Sequence, residues 1–172
     1  MGEIRDREFF TCCSEVLARK LLGKIICHRV VEKGEAFVIK LRIMATEAYT
    51  KCDPFTDANR SKKKNSQFLE GGHLYFCYGG EGYNRMDIVA DKEGIPESVL
   101  IAVTDMYDGP QLTLWALDAD KRKFDGADLV KCKEIWLEDD GAVVEMARIE
   151  KRRNIKNEAL LRFSVERIRF NM

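Results

Sequence analysis

The sequence has no run approaching the roughly 20 apolar residues that a membrane-spanning helix needs. Its first residues, Met1-Gly2-Glu3-Ile4-Arg5-Asp6-Arg7-Glu8, are polar and lack the apolar core of a signal peptide. Both absences lead to the expectation of a cytoplasmic protein that does not meet a membrane. Histidine is scarce: His28 and His73 are the only two, and none of the six cysteines forms a Cys-x-x-Cys pair. This argues against zinc, so no metal is expected, and against a disulfide framework. Cys27 and Cys77 lie in apolar runs, where a reduced cysteine acts as a small hydrophobe. The glycines Gly79, Gly80 and Gly82 lack the spacing of a dinucleotide fingerprint and read as a tight turn. Net charge is also missing, with 29 basic and 29 acidic residues. A protein that neutralises phosphates usually shows a basic surplus, so any such surplus here must be local.

What is present describes a globular chain. Hydrophobic residues make up 45% and charged residues 34% of 172 positions, enough for one domain over residues 1–172. Two basic stretches stand out, Arg60-Ser61-Lys62-Lys63-Lys64 and the C-terminal group Lys151-Arg152-Arg153, Arg162, Arg167 and Arg169. Asp118 to Glu145 between them is mostly acidic. Taken alone, each basic run reads as a solvated face.

The spacing of Val16, Leu17, Leu21 and Leu22 predicts a helix over 15–22, with Ser14 as N-cap and Gly23 just past its end. Residues 24–31 and 36–46 read as a hairpin around Glu32-Lys33-Gly34-Glu35. Residues 50–72 are polar and irregular, a loop long enough to suggest function. Further strands are expected at 73–78, 83–90, 98–104, 134–137, 142–149 and 161–168. A helix should start at Pro110 and run to Leu117, and a short one is expected near 157–160. Strands dominate without regular βαβ alternation. The fold class is therefore α+β, a curved and largely antiparallel sheet with short flanking helices.

Chemistry has one good address. Ala45-Thr46-Glu47-Ala48-Tyr49 sits where a strand meets the long loop. Alternation along Phe37, Ile39, Leu41, Ile43 and Ala45 puts Glu47 on that same face, at the strand's end. A carboxylate at a core edge is partly desolvated, which suits a general base. On spacing alone, a solvated carboxylate closing a strand is the commoner reading.

The segment Arg42-Ile43, Thr46-Glu47-Ala48-Tyr49 resembles the catalytic motif of the alkyladenine (3-methyladenine) DNA glycosylases. So do, in order, Leu17-Ala18-Arg19, Leu21-Leu22-Gly23-Lys24, Asp53-Pro54, Gly72, Leu74-Tyr75, Val99-Leu100-Ile101, Gly109-Pro110, Ala116-Leu117, Phe124, Gly126, Asp128-Leu129, and Leu161-Arg162-Phe163 with Val165. The chain is shorter than such proteins between Val103 and Gly109. The resemblance implies a monomeric, monofunctional hydrolase of N-glycosyl bonds in base-excision repair. Its substrate would be double-stranded DNA carrying alkylated purines of the 3-methyladenine and 7-methylguanine class, and it would need no cofactor. The damaged nucleotide would be flipped into a pocket, and Glu47 would activate the attacking water. The resemblance further maps a water-positioning carbonyl to Val165 and one pocket wall to Tyr49, and the rest of the pocket to Asp57, Cys77 and Asp87. It places DNA contacts at Tyr75, Tyr78, Gly80, Lys62, Lys63 and Arg162. Several of these positions depart from the family pattern. Asp57 stands for a histidine, Cys77 for a tyrosine, Gly80 for the wedge tyrosine, Asp87 for an asparagine and Ala102 for an arginine that helps hold the water. The alternative is a family member that binds nucleic acid without excising a base. A thiol or metal protein is the third and weakest reading.

Overall fold

The computed structural model describes residues 2–59, 65–78, 84–156 and 158–170. In chain order its strands are β1 (Gly2–Glu3), β2 (Ile25–Glu32), β3 (Glu35–Tyr49), β4 (Leu74–Tyr78), β5 (Asn84–Ala90), β6 (Glu97–Thr104), β7 (Ile135–Asp139), β8 (Val143–Glu150) and β9 (Arg162–Arg169). The helices are α1 (Ser14–Leu21), α2 (Pro110–Leu117) and α3 (Lys121–Phe124). Every described strand pairing is antiparallel, and the strands join in the order β1-β7-β2-β3-β6-β5-β4, with β9 added to β3 and β8 to β9. The fold class is thus α+β around one curved antiparallel sheet. No described helix is long and apolar enough to cross a membrane.

The β2–β3 hairpin closes where the sequence marks it. Lys33 (φ 51°) and Gly34 (φ 86°) both take positive φ, the geometry whose twist matches flanking strands. β3 is 15 residues long and organises the sheet. Its first half pairs with β2 and its second half with β6 on one edge and β9 on the other. Changing partners along one strand bends it, and two register shifts in the β3–β6 ladder, at Met44 and Ala102, mark the bend.

Those bulges overturn one expectation. Leu41 and Ile43 belong to the main core with Leu17, Leu21, Ile26, Phe76, Ile88 and Phe163, whereas Ala45 and Tyr49 pack in a second cluster with Leu100 and Ala102. Thr46, by contrast, turns to the α1 side and donates to the Ala18 carbonyl (2.9 Å). The bulge resets the alternation, so Glu47 lies on the face opposite Leu41 and Ile43. It is also inside β3, two residues before its end.

α1 buries Leu17, Ala18 and Leu21 and stops at Gly23 (φ 79°), a left-handed position that suits glycine. Ser14 is not its side-chain cap. Its hydroxyl is buried without a partner, and its backbone N–H donates to Glu97 Oε2 on β6 (2.6 Å). α2 occupies the predicted span. The short helix expected near 157–160 does not form over the described residues 158–160. A one-turn helix instead stands at Lys121–Phe124, where Asp120 caps the Arg122 N–H.

Candidate active site

Strand registers assemble the site. In an antiparallel pair directly opposed residues share a face, so one row crosses five strands: Tyr75, Asp87, Leu100, Glu47 and Arg162. Flanking rows add the pair Cys77 and Arg85, and the series Val89, Ser98 and Tyr49. This face is the one turned away from the main core.

Glu47 is buried, with 3% of its surface exposed. Two donors from described residues converge on its Oε1: Arg162 Nη1 at 2.9 Å and the Arg153 backbone N–H at 3.0 Å. Beside it lies a cavity of about 240 Å³ walled by Leu100, Ala102, Gly109, Pro110 and Asn154. Val165 does not line this cavity. It lines an adjoining groove of about 370 Å³ with Arg148, Glu150 and Ser164, and the two spaces share Arg153 and Arg162.

The positions assigned to the base pocket carry buried ionisable groups. Asp57, in a 3-10 turn over 57–59, reaches across the loop and accepts from the Tyr75 hydroxyl and from Cys77 Sγ (2.6 Å). Burial, followed by the Asp57 contact, pushes the Tyr75 hydroxyl far above its ordinary range. Burial likewise pushes the Cys77 thiol up to about 12, so it is a hydrogen-bond donor and not a thiolate at neutral pH. Asp87 is fully buried, and burial raises its pKa against the opposing pull of Arg85 and of the Ser98 hydroxyl (2.7 Å). Arg85 Nε lies 3.3 Å from Asp87 Oδ1.

Tyr49 is enclosed by guanidinium groups. Arg85 Cζ lies 4.3 Å and Arg152 Cζ 4.5 Å from its ring centroid, both stacking distances. Arg152 also pairs with Asp53 (2.5 Å) and donates to the Ala48 carbonyl (3.0 Å).

The structure therefore gathers Glu47, Tyr49, Asp57, Cys77, Asp87, Tyr75 and Arg162 on one face. Tyr75 and Arg162, expected to contact DNA, are buried there, with Arg162 against Glu47. Gly80, Lys62 and Lys63 and the side chain of Tyr78 lie outside the described residues. Sequence reasoning missed Arg85, Arg152, Arg153 and the role of Asp53. Arg85 and Asp87, two residues apart in a largely apolar strand, were a usable signal. Arg152 and Arg153 looked like part of a basic surface run. Among the described residues no group of histidine, cysteine or carboxylate side chains is placed to hold a metal.

Comparison with known proteins places the site in a context. The family model described as methylpurine-DNA glycosylase matches residues 8–105. A protein of Pseudomonas syringae pv. tomato named "putative 3-methyladenine DNA glycosylase" is 42% identical over 97 residues, 54% of this chain and 40% of that protein. Proteins of the same name from Prosthecochloris aestuarii (36% over 117 residues, 65% and 53%) and Chlorobium phaeobacteroides (32% over 111 residues, 62% and 54%) match similarly. The matched stretch spans about half the length of these relatives or less. The stretch matched by the family model includes Glu47, Tyr49, Asp57, Cys77 and Asp87 and ends before Arg152 and Arg162.

Proposed function

Because the chain belongs to the methylpurine-DNA glycosylase family, we propose that it excises alkylated purines of the 3-methyladenine and 7-methylguanine class from double-stranded DNA. It would act as a single-domain monomer in the cytoplasm. The observation that carries this reading is Glu47: a buried carboxylate at the centre of the site row, anchored through Oε1, beside a cavity. With one oxygen fixed, the other is the atom to take a proton from water. That water attacks the anomeric carbon, the N-glycosidic bond breaks, and its electron pair leaves with the base. An alkylated cationic purine needs no protonation to leave. The Glu47 side chain also stabilises positive charge developing on the sugar. Access requires that the nucleotide leave the duplex stack. Arg162, reaching Glu47 from β9, is a positioning residue here.

Single-turnover release of methylated bases from alkylated duplex DNA tests this. Glu47→Gln should slow release by about 10²–10⁴-fold, the usual weight of a general base. Release by the native chain no faster than in buffer alone would sink the proposal.

A second reading is favoured by one observation, the guanidinium groups against Tyr49. With its ring already stacked, the chain would bind nucleic acid without excising a base. Salt-dependent DNA binding with no base release supports that reading, and turnover rules it out.

A further inference from the structure

The ring of Tyr49, which the family resemblance makes one wall of the base pocket, is already in contact with two side chains of this chain. The guanidinium carbons of Arg85 and Arg152 lie 4.3 and 4.5 Å from its centroid, so a planar base that stacks there competes with side chains of the chain itself. The two arginines differ in how they are held. Arg85 belongs to β5 and is tied to Asp87 within the sheet. Arg152 belongs to the connection between β8 and β9, so it can withdraw without breaking a strand.

Arg152 is bound as a ligand would be. Its planar cation stacks on Tyr49, lies 2.5 Å from the Asp53 carboxylate and donates to the Ala48 carbonyl. An aromatic face, a carboxylate and a carbonyl acceptor are what a planar cationic heterocycle requires. Yet its Nε and Nη2 are buried with no hydrogen-bond acceptor, an unfavourable state for a residue serving only as a strut. The next residue, Arg153, holds Glu47 Oε1 through its backbone N–H. Occupancy of the ring and anchoring of the carboxylate are therefore joined by one peptide bond.

We propose that Arg152 is an internal occupant of the base slot, an autoinhibitory side chain that a planar cationic purine displaces. The proposal rests on the glycosylase reading for the identity of the slot, but binding needs no bond cleavage. A closed slot lowers apparent affinity by the fraction of molecules that are open, so removing the plug must tighten binding.

Calorimetric titration of the full chain with 7-methylguanosine, a planar cation, and with neutral guanosine tests this. Arg152→Ala should bind 7-methylguanosine about tenfold more tightly than the native chain, with no such gain for guanosine. Methylguanidinium should compete for the opened slot and raise the melting temperature of the variant. Equal affinity of the two chains for 7-methylguanosine overturns the proposal. So does a variant that stays unfolded even with methylguanidinium present, since Arg152 would then be a structural strut. A chain that gains nucleoside binding but releases no base from DNA refutes the glycosylase reading alone. One that excises bases while Arg152→Ala gains nothing refutes this inference alone.

Discussion

Glu47 and Arg162 each leave about 4% of the side chain exposed and share a 2.9 Å contact. Removing one partner of such a pair strands the other charge away from water. Arg162→Met should therefore destabilise the fold by about 3–5 kcal/mol, read from urea unfolding midpoints. Glu47→Gln keeps an acceptor for both donors and should cost less, about 1–3 kcal/mol. A small Arg162→Met effect would mean that the pair is solvated. The cysteines give a second prediction at this scale. Burial raises both Cys27 and Cys77 to about 12, while Cys13 and Cys52 are exposed. At pH 8 a thiol reagent should label Cys13 and Cys52 readily and reach Cys27 and Cys77 only on unfolding, as peptide mass mapping would show. Rapid labelling of Cys77 would contradict its contact with Asp57. Glu47 was legible in the sequence because its motif is local. Its partner was not, because Arg162 lies 115 residues away and meets it only through strand register.

Elements were legible where backbone chemistry is local. Gly34 marks the hairpin, Pro110 opens α2, and Gly23 closes α1, each through backbone freedom or restriction that the residue itself carries. The bulges at Met44 and Ala102 have no such marker. They arise because β3 leaves β2 after Arg42 and takes up β6 on one edge and β9 on the other, a tertiary demand that silently inverts the face on which Glu47 sits. The start of α1 was misread for a similar reason. Its N-terminal donor is satisfied from β6, where Glu97 Oε2 accepts the Ser14 N–H at 2.6 Å. An anionic acceptor at a helix N-terminus also complements the helix dipole. Glu97→Ala should cost about 1–2 kcal/mol in thermal or urea unfolding, with Glu97→Gln recovering part of it. Ser14→Ala, which removes only an unpartnered hydroxyl, should cost far less. Equal losses for Ser14→Ala and Glu97→Ala would restore Ser14 as the functional cap.

For the whole molecule, zero net charge conceals a spatial division of charge. The acidic stretch after Asp118 closes onto basic residues of the N-terminal half. Lys24 meets Asp139 (2.6 Å), Lys40 meets Glu138 (2.6 Å) and Arg42 meets Asp140 (2.7 Å), clipping β7 and the turn after it to β2 and β3. Arg7 makes a similar contact with Asp128 (2.5 Å). The acidic run therefore serves as an intramolecular partner, which composition alone could not show. For Asp128, Glu138 and Asp139, burial is the largest single influence and pushes the carboxyl pKa up, but the hydrogen bonds from Arg7, Lys40 and Lys24, together with further hydrogen bonds and the nearby positive charge, leave each below its ordinary value. Asp140 is held down to about 2, chiefly by its hydrogen bond from Arg42. A carboxyl whose folded pKa lies below its unfolded one contributes stability that is fully present above the unfolded value. That contribution is lost as pH falls through the folded value. Asp87 has the opposite sign: raised by burial, it favours the folded state below its unfolded pKa and loses that contribution as pH rises through the folded one. Five lowered carboxyls, these four and Glu166 beside Arg148, against one raised make the net slope positive, so the urea midpoint should fall between about pH 5 and pH 2. Neutralising Asp140 should remove part of this slope at its acidic end, so Asp140→Asn should unfold with a shallower dependence below about pH 4. A midpoint that stays flat or rises as the native chain is acidified would show that these clips do not hold β7 against the hairpin.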